Sequence, residues 1–327
     1  MTRLDDTGHA RRWRCGASTL ADAEVRRWDH REVKAHQSSR TAVLVCQGRA
    51  AAHELLAPHR FSDPTAMTML RADERVPVEY VRSRTPPHGA RDRLDFEIVR
   101  ASAEVVVPRT VAIDEVMRRR MAPQLVILGA GLDGRVWRMV ELEDTEAYEV
   151  DHPASQADKR ERVGERPPLA RSLRYVPVDF ERGRLGDALA AAGHQRSKAT
   201  TWVWEGVVPY LAKAEVSSTV AVIAERSAAG SFLVVNYQTP AVSDVLGRLF
   251  ARAMFAAARQ PSPWRSEPRR SSWTPDAMRD LLARHGLTVD SDEDLFTVAQ
   301  RLPMAVRQRR SLRNGRIATA TVGPRSA

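Results

Sequence analysis

Three acidic residues, Asp151, Asp179 and Glu205, each close a short apolar run: EAYEVD, LRYVPVD and TTWVWE. A fourth run, residues 125–128, ends instead in Gly129, Ala130 and Gly131. Runs of this kind suit strands buried on both faces of a parallel sheet. If all four point the same way, three carboxylates and a bare backbone turn share one sheet edge, which is where open α/β sheets bind ligands. Glycine at the turn lets a ligand approach the backbone closely. Asp151 lies 20 residues after Gly131, the spacing at which an acid accepts hydrogen bonds from ribose hydroxyls. Asp179 can hydrogen-bond an adenine amino group, Phe180 can cover its ring, and Glu205 faces the opposite end of such a ligand.

The turn GAGLDG, with Gly129, Gly131 and Gly134, also matches the dinucleotide fingerprint, so the spacing by itself admits NAD(P) as well as S-adenosyl-L-methionine. A row of acids weighs against a pyrophosphate, because like charges are costly in a dry site, and it suits an adenosyl group carrying a cationic sulfonium and an amine. Plainer roles compete at each position. Asp151 can N-cap a helix starting at Pro153, although its spacing favours ribose. Asp179 can be a turn acid, Glu205 can pair with a surface arginine, and Tyr210 can be core. His53 and His59 in HELLAPH miss the zinc-helix spacing, because Ala57 stands four after His53. Two cysteines, Cys15 and Cys46, give neither a disulfide framework nor a metal site, and no metal is expected.

The elements that position these residues follow from periodicity. Residues 1–36 are polar and read as a poorly ordered basic arm; a helical cap spans 37–120, and the sheet-bearing catalytic domain spans 121–327. Within the cap, 38–57 reads as a helix capped by Ser38 or Ser39, a short helix restarts at Pro64 with Asp63 as its cap, 71–90 reads as loop, and 91–121 is helical with Pro108 as kink or boundary. Strands are expected at 125–128, 146–150, 173–178, 200–204, 231–236, 287–289 and 316–322. Helices are expected between them at 132–140, 152–163, 185–192, 212–228, 242–258 and 274–284, with a proline-rich loop at 261–273 poised over the site. Repeated strand–helix units predict an α/β fold with a mostly parallel sheet.

Hydrophobic content of 43% and charged content of 28% are those of an ordinary soluble globular chain. No apolar run reaches membrane-spanning length and the first residues lack a signal-peptide core, so a cytoplasmic protein is expected. The net charge of +10 is carried mostly by arginine, clustered near both ends. Aromatic residues do not interleave with it as a single-strand stacking surface requires, so nucleic acid is not the expected partner.

In order and spacing, LVILGAGLDGRVWRM, YEVDHPASQADKRERV, VPVDF and WVWEGVVPYL resemble the leucine carboxyl methyltransferase family, most closely its bacterial branch of S-adenosyl-L-methionine-dependent methyltransferases; the likeness covers about residues 38–322. The resemblance implies the class I methyltransferase fold, a Rossmann-like seven-stranded sheet with the last strand antiparallel and helical additions in front. It implies S-adenosyl-L-methionine as cofactor, held by Gly129, Gly131, Asp151, Asp179, Phe180 and Glu205. Arg109 would bind the methionine carboxylate, with Arg40 as a second basic residue. Glu205 and Tyr210 would be the catalytic pair. Gly134 departs from the family, which carries Thr, Ser or Ala there, and so a hydroxyl near the cofactor is lost. The expected reaction is methyl transfer to a carboxylate or hydroxyl of a small molecule. A nicotinamide-dependent oxidoreductase and an RNA methyltransferase are the alternatives.

Overall fold

The computed structural model describes residues 39–180, 184–240 and 269–323, all within the unit Ser38–Ala327. The expected arm at 1–36, the helix at 242–258 and most of the loop at 261–273 lie outside the described residues.

Among the described residues three α-helices come first: α1 (Arg40–Ala52), α2 (Ala72–Ser83) and α3 (Ala90–Arg119). The strands are β1 (Gln124–Leu128), β2 (Glu146–Asp151), β3 (Ser172–Pro177), β4 (Thr200–Trp204), β5 (Phe232–Gln238), β6 (Leu287–Asp294) and β7 (Gly315–Val322). Between them lie α4 (Arg135–Arg138), α5 (Pro153–Val163), α6 (Leu185–Ala191), α7 (Lys213–Glu225), α8 (Pro275–Arg284), α9 (Leu295–Gln300) and α10 (Arg309–Asn314). The sheet order is β3-β2-β1-β4-β5-β7-β6. β1 to β5 run parallel, and β7 is antiparallel to both β5 and β6. This is the class I methyltransferase arrangement that the resemblance implies.

Alternation explains why the sheet is buried on both sides. In β1, Leu125 and Ile127 join the core shared with α1 to α3, whereas Val126 and Leu128 join the core on the opposite face. Phe232 and Val234 of β5 divide from Leu233 and Val235 in the same way. The chain leaves β1 toward β2 and β3 and returns to β4 on the other side. The carboxyl ends of β1 and β4 therefore flank a topological switch point, where such sheets open a crevice.

Several boundaries differ from the expectations. Only the end of the segment 71–90 is the expected loop, because α2 forms over 72–83 and through Pro77. Glu74 Oε2 accepts the Arg71 N–H at 2.8 Å, Asp73 and Glu74 favour the first turn, and Val78 is fully buried. These contacts offset the hydrogen bond a mid-helix proline loses. Pro108 is no boundary either: α3 runs through it, with 13 buried residues holding it in place. The helix expected at 132–140 shrinks to the single turn α4, because Met139 adopts an extended backbone (φ −96°, ψ 105°). β6 is longer than expected. It is an edge strand carrying a register irregularity between Val289 and Ser291, and its second half, SDED, is charged in the manner that protects sheet edges.

Candidate functional site

A cavity of about 610 Å³ opens at the carboxyl ends of β1 to β4. Gly129, Gly131, Asp151, Asp179, Phe180, Glu205, Arg109 and Tyr210 all line it. The fold thus brings together every residue named from the sequence except Arg40.

The glycine turn sets the floor. Gly129 has φ +67°, and a Cβ there would lie 2.2 Å from Val207 Cγ2. Gly131 has φ +44°, and its Cβ would sit 3.1 Å from Ala42 Cβ on α1. Both positions therefore favour glycine on conformation, and Gly129 on space as well. The Gly131 N–H donates to Asp151 Oδ2 at 2.6 Å, and the His152 N–H donates to Oδ1 at 2.6 Å. Asp151 therefore ties the β1 turn to the end of β2. Burial pushes its carboxyl above the usual range, against these two backbone donors. Each carboxylate oxygen keeps lone-pair capacity for a further donor. The helix cap after β2 is His152, not Asp151: its Nδ1 accepts the Ala154 N–H at 3.2 Å.

Charge on the β4 side is denser than the sequence suggested. Glu205 accepts Arg109 Nε on Oε1 and Arg135 Nη1 on Oε2, both at 2.7 Å. Arg135 also donates to Asp114 Oδ1 at 2.7 Å and to Asp133. Arg138 pairs with the other oxygen of Asp114 at 2.7 Å, and Arg49 Nε pairs with Asp63 Oδ2 at 2.9 Å. Four guanidiniums thus share a buried network with four carboxylates. Burial opposes ionisation of Glu205, Asp114 and Asp63, but the neighbouring guanidiniums prevail and hold all three below the usual carboxylate range. Glu149 of β2 and Lys159 of α5 form a second buried pair at 2.7 Å, with Lys159 Nζ 5.1 Å from the Trp137 ring centroid. Burial pushes the Glu149 carboxyl up to about 7 despite Lys159.

Two sequence readings are corrected. Arg40 is exposed and does not line the cavity. The face of α1 that does line it carries Ser39, Ala42, Val45 and Arg49 at helical spacing, with Thr41 beside them. Arg49 is the buried arginine of this helix, and that repeat of three to four residues from Ser39 was the signal for it. Gly134 is not within a helix. It precedes α4 with φ −104°, and a Cβ there would lie 2.0 Å from Thr65 Oγ1, which donates to Asp63 at 2.7 Å. The Thr65 hydroxyl occupies the space a side chain at 134 would need, so a hydroxyl is present here, supplied by another segment. Asp133, one residue earlier in the same loop, also lines the cavity and was not singled out from the sequence.

The lining can be tested for an adenosyl amino-acid ligand. Thr41 Oγ1 is buried on the cavity wall without a hydrogen-bond partner among the described residues, as a site built for a polar ligand group would leave it. The bare glycine turn packs closely against α1 and the loop after β4, so backbone forms the cavity floor there, and acids stand at both ends. These features fit such a ligand.

The model of the leucine carboxyl methyltransferase family matches residues 42–224. Among curated relatives, a protein of Frankia alni is 34% identical over 231 residues, 69% of this chain and 76% of the relative. One from Streptomyces coelicolor is 36% identical over 190 residues, 57% of this chain and 63% of the relative. Both carry the description "Putative S-adenosyl-L-methionine-dependent methyltransferase". Among solved structures, a duf574 family protein from Streptomyces avermitilis superposes with a TM-score of 0.47 at 13% identity, covering 84% of this chain and 97% of that one.

Proposed function

The chain belongs to the leucine carboxyl methyltransferase family, and from that premise we propose that it methylates an oxygen of a small molecule, a carboxylate or a hydroxyl. It is an S-adenosyl-L-methionine-dependent methyltransferase; the acceptor is the proposed part. The observation that carries the site assignment is the convergence of Asp151, Asp179 and Glu205 with the Gly129–Gly131 turn on one cavity. Asp151 would accept the ribose hydroxyls. Asp179 and Phe180 would hold the adenine. Arg109 and Glu205 would face the amino-acid end, whose carboxylate and ammonium complement them in charge.

When bound, the cofactor supplies a methyl group on sulfonium, whose carbon–sulfur bond breaks with its electron pair retained by sulfur as the acceptor oxygen forms the new carbon–oxygen bond. The work left to the chain is to align the acceptor and exclude water. A carboxylate acceptor is nucleophilic as it stands and needs no base. For a hydroxyl acceptor, Glu205 is a weak base, because two guanidiniums lower its proton affinity; its place is to hold Arg109 and Arg135. Tyr210, half-buried on the cavity wall, would orient the acceptor oxygen.

Calorimetry with S-adenosyl-L-methionine and with NADH tests this reading. Binding of the methyl donor and not of NADH is expected; tight NADH binding without the donor would revive the oxidoreductase alternative. That alternative is disfavoured here, since a pyrophosphate would meet the acids of the wall at close range. An RNA methyltransferase would show steep loss of RNA binding with salt, and nothing in the cavity favours it.

A further inference from the structure

We infer that the protein has a second ligand site, separate from the methyl-transfer cavity and independent of it. It takes a small organic anion with an apolar body, and Arg119 recognises the charge. A cavity of about 370 Å³ opens between α3 and the β6–β7 edge of the sheet. It shares no lining residue with the first cavity. α3 serves both: it presents Arg109 to one, and Ala112, Glu115, Val116 and Arg119 to the other. The volume falls within the roughly 300–1,000 Å³ of small-molecule sites.

The register break in β6 builds one wall of this cavity. Leu287 and Val289 pack in the core on the far face of the sheet, opposite Val322 and Ala320. Side chains alternate along a strand, so an unbroken β6 would turn Ser291 and Glu293 to that same face. The break between Val289 and Ser291 reverses the alternation. Ser291 and Glu293, opposite Thr319 and Ile317, therefore line the cavity on the α3 side. Irregularities of this kind re-aim side chains beside functional sites. Ser291 Oγ and Thr319 Oγ1 share one hydrogen bond at 2.7 Å. In such a pair one hydroxyl donates and the other keeps its own proton, which a ligand can accept.

The floor is apolar, with Val111, Val298, Leu302 and Ile317 all buried. The charges around it do not balance. Arg60 pairs with Glu115, and Arg301 pairs with Glu293. On either side of Arg119 in the chain, Arg118 and Arg120 pair with Glu141 and Asp290. Arg119 itself is exposed and has no carboxylate partner among the described residues. Three guanidiniums thus line the cavity with only two carboxylates. The unpaired guanidinium offers parallel donors to a planar or tetrahedral anion. The buried floor beside it covers the rest of such a molecule.

The test titrates the full chain with benzenesulfonate, benzenesulfonamide and methanesulfonate. The amide keeps the ring and drops the charge; methanesulfonate keeps the charge and drops the ring. Calorimetry should show benzenesulfonate binding roughly tenfold or more tighter than either, the factor carried by one charge-assisted hydrogen bond or one buried ring. Its preference over the amide should vanish in Arg119→Gln and persist in Arg119→Lys. Position 119 is exposed, so both variants should melt with the wild type. Equal binding of benzenesulfonate and its amide, methanesulfonate binding as tightly as benzenesulfonate, a charge preference that survives Arg119→Gln, or no benzenesulfonate binding at millimolar concentration overturns the inference.

Discussion

Asp151 carries two backbone hydrogen bonds before any ligand arrives, so it is a fixed acceptor, not a mobile one. Asp151→Ala should weaken S-adenosyl-L-methionine binding by about 1–3 kcal/mol, the cost of a hydrogen-bonded partner lost in a buried site. Calorimetry measures it, and unchanged affinity would remove Asp151 from the ribose site. Arg135 has a different weight. It is 1% exposed and pairs with Asp114, Asp133 and Glu205 together. Arg135→Met would strand buried carboxylates and should cost about 3–5 kcal/mol in urea unfolding; a cost below about 1 kcal/mol would show the network to be wet. Glu149 supplies a pH signature. Its carboxyl is raised from 4.5 to about 7, so the folded state holds the proton more tightly than the unfolded one. The resulting stabilisation is complete below 4.5 and is lost as pH rises through about 7. Melting temperatures of wild type and Glu149→Gln should therefore diverge across that window, with the wild type losing ground as pH rises. The difference between the two cancels the opposite trend from Asp63, Asp114 and Glu205, whose contribution is lost in acid.

At the scale of elements, the closest fit is between the segment before α2 and the glycine loop. Gly134→Ala would drive a methyl group into Thr65 and should destabilise by about 1–3 kcal/mol, an overpacking cost. Adding Thr65→Ala removes the clashing hydroxyl and should recover part of it. Chemical denaturation decides, and a double variant no better than the single one would place the strain elsewhere. These elements also show what the sequence could reveal. β1 and β4 were legible because burial on both faces favours consecutive apolar residues, 125–128 and 202–204, and the acids at strand ends stood out because they broke such runs. α2 was hidden because Pro77 outweighs, in a local reading, caps and packing that come from other segments. The site was legible in its acids and glycines but not in Arg135 or Thr65, and in Arg49 only through the spacing along α1. In a chain with so many arginines, which guanidinium is buried depends on carboxylates more than ten residues away: Arg135 meets Asp114 from 21 positions off.

For the whole molecule, the cofactor should act as a stabiliser. A ligand that binds only the folded state at a hundred times its Kd adds about 2.7 kcal/mol, so a thermal scan should rise with S-adenosyl-L-methionine and stay flat with NADH. No helix among the described residues is long and apolar enough to cross a membrane. The antiparallel β7 lies between β5 and β6, yet it follows both in the chain. During synthesis, those two strands leave the ribosome facing a gap that nothing can fill until residues 315–322 emerge. Nascent chains arrested short of that point would expose two unpaired rims, each a template for a neighbour, and would be the forms that chaperones shelter and that aggregate first.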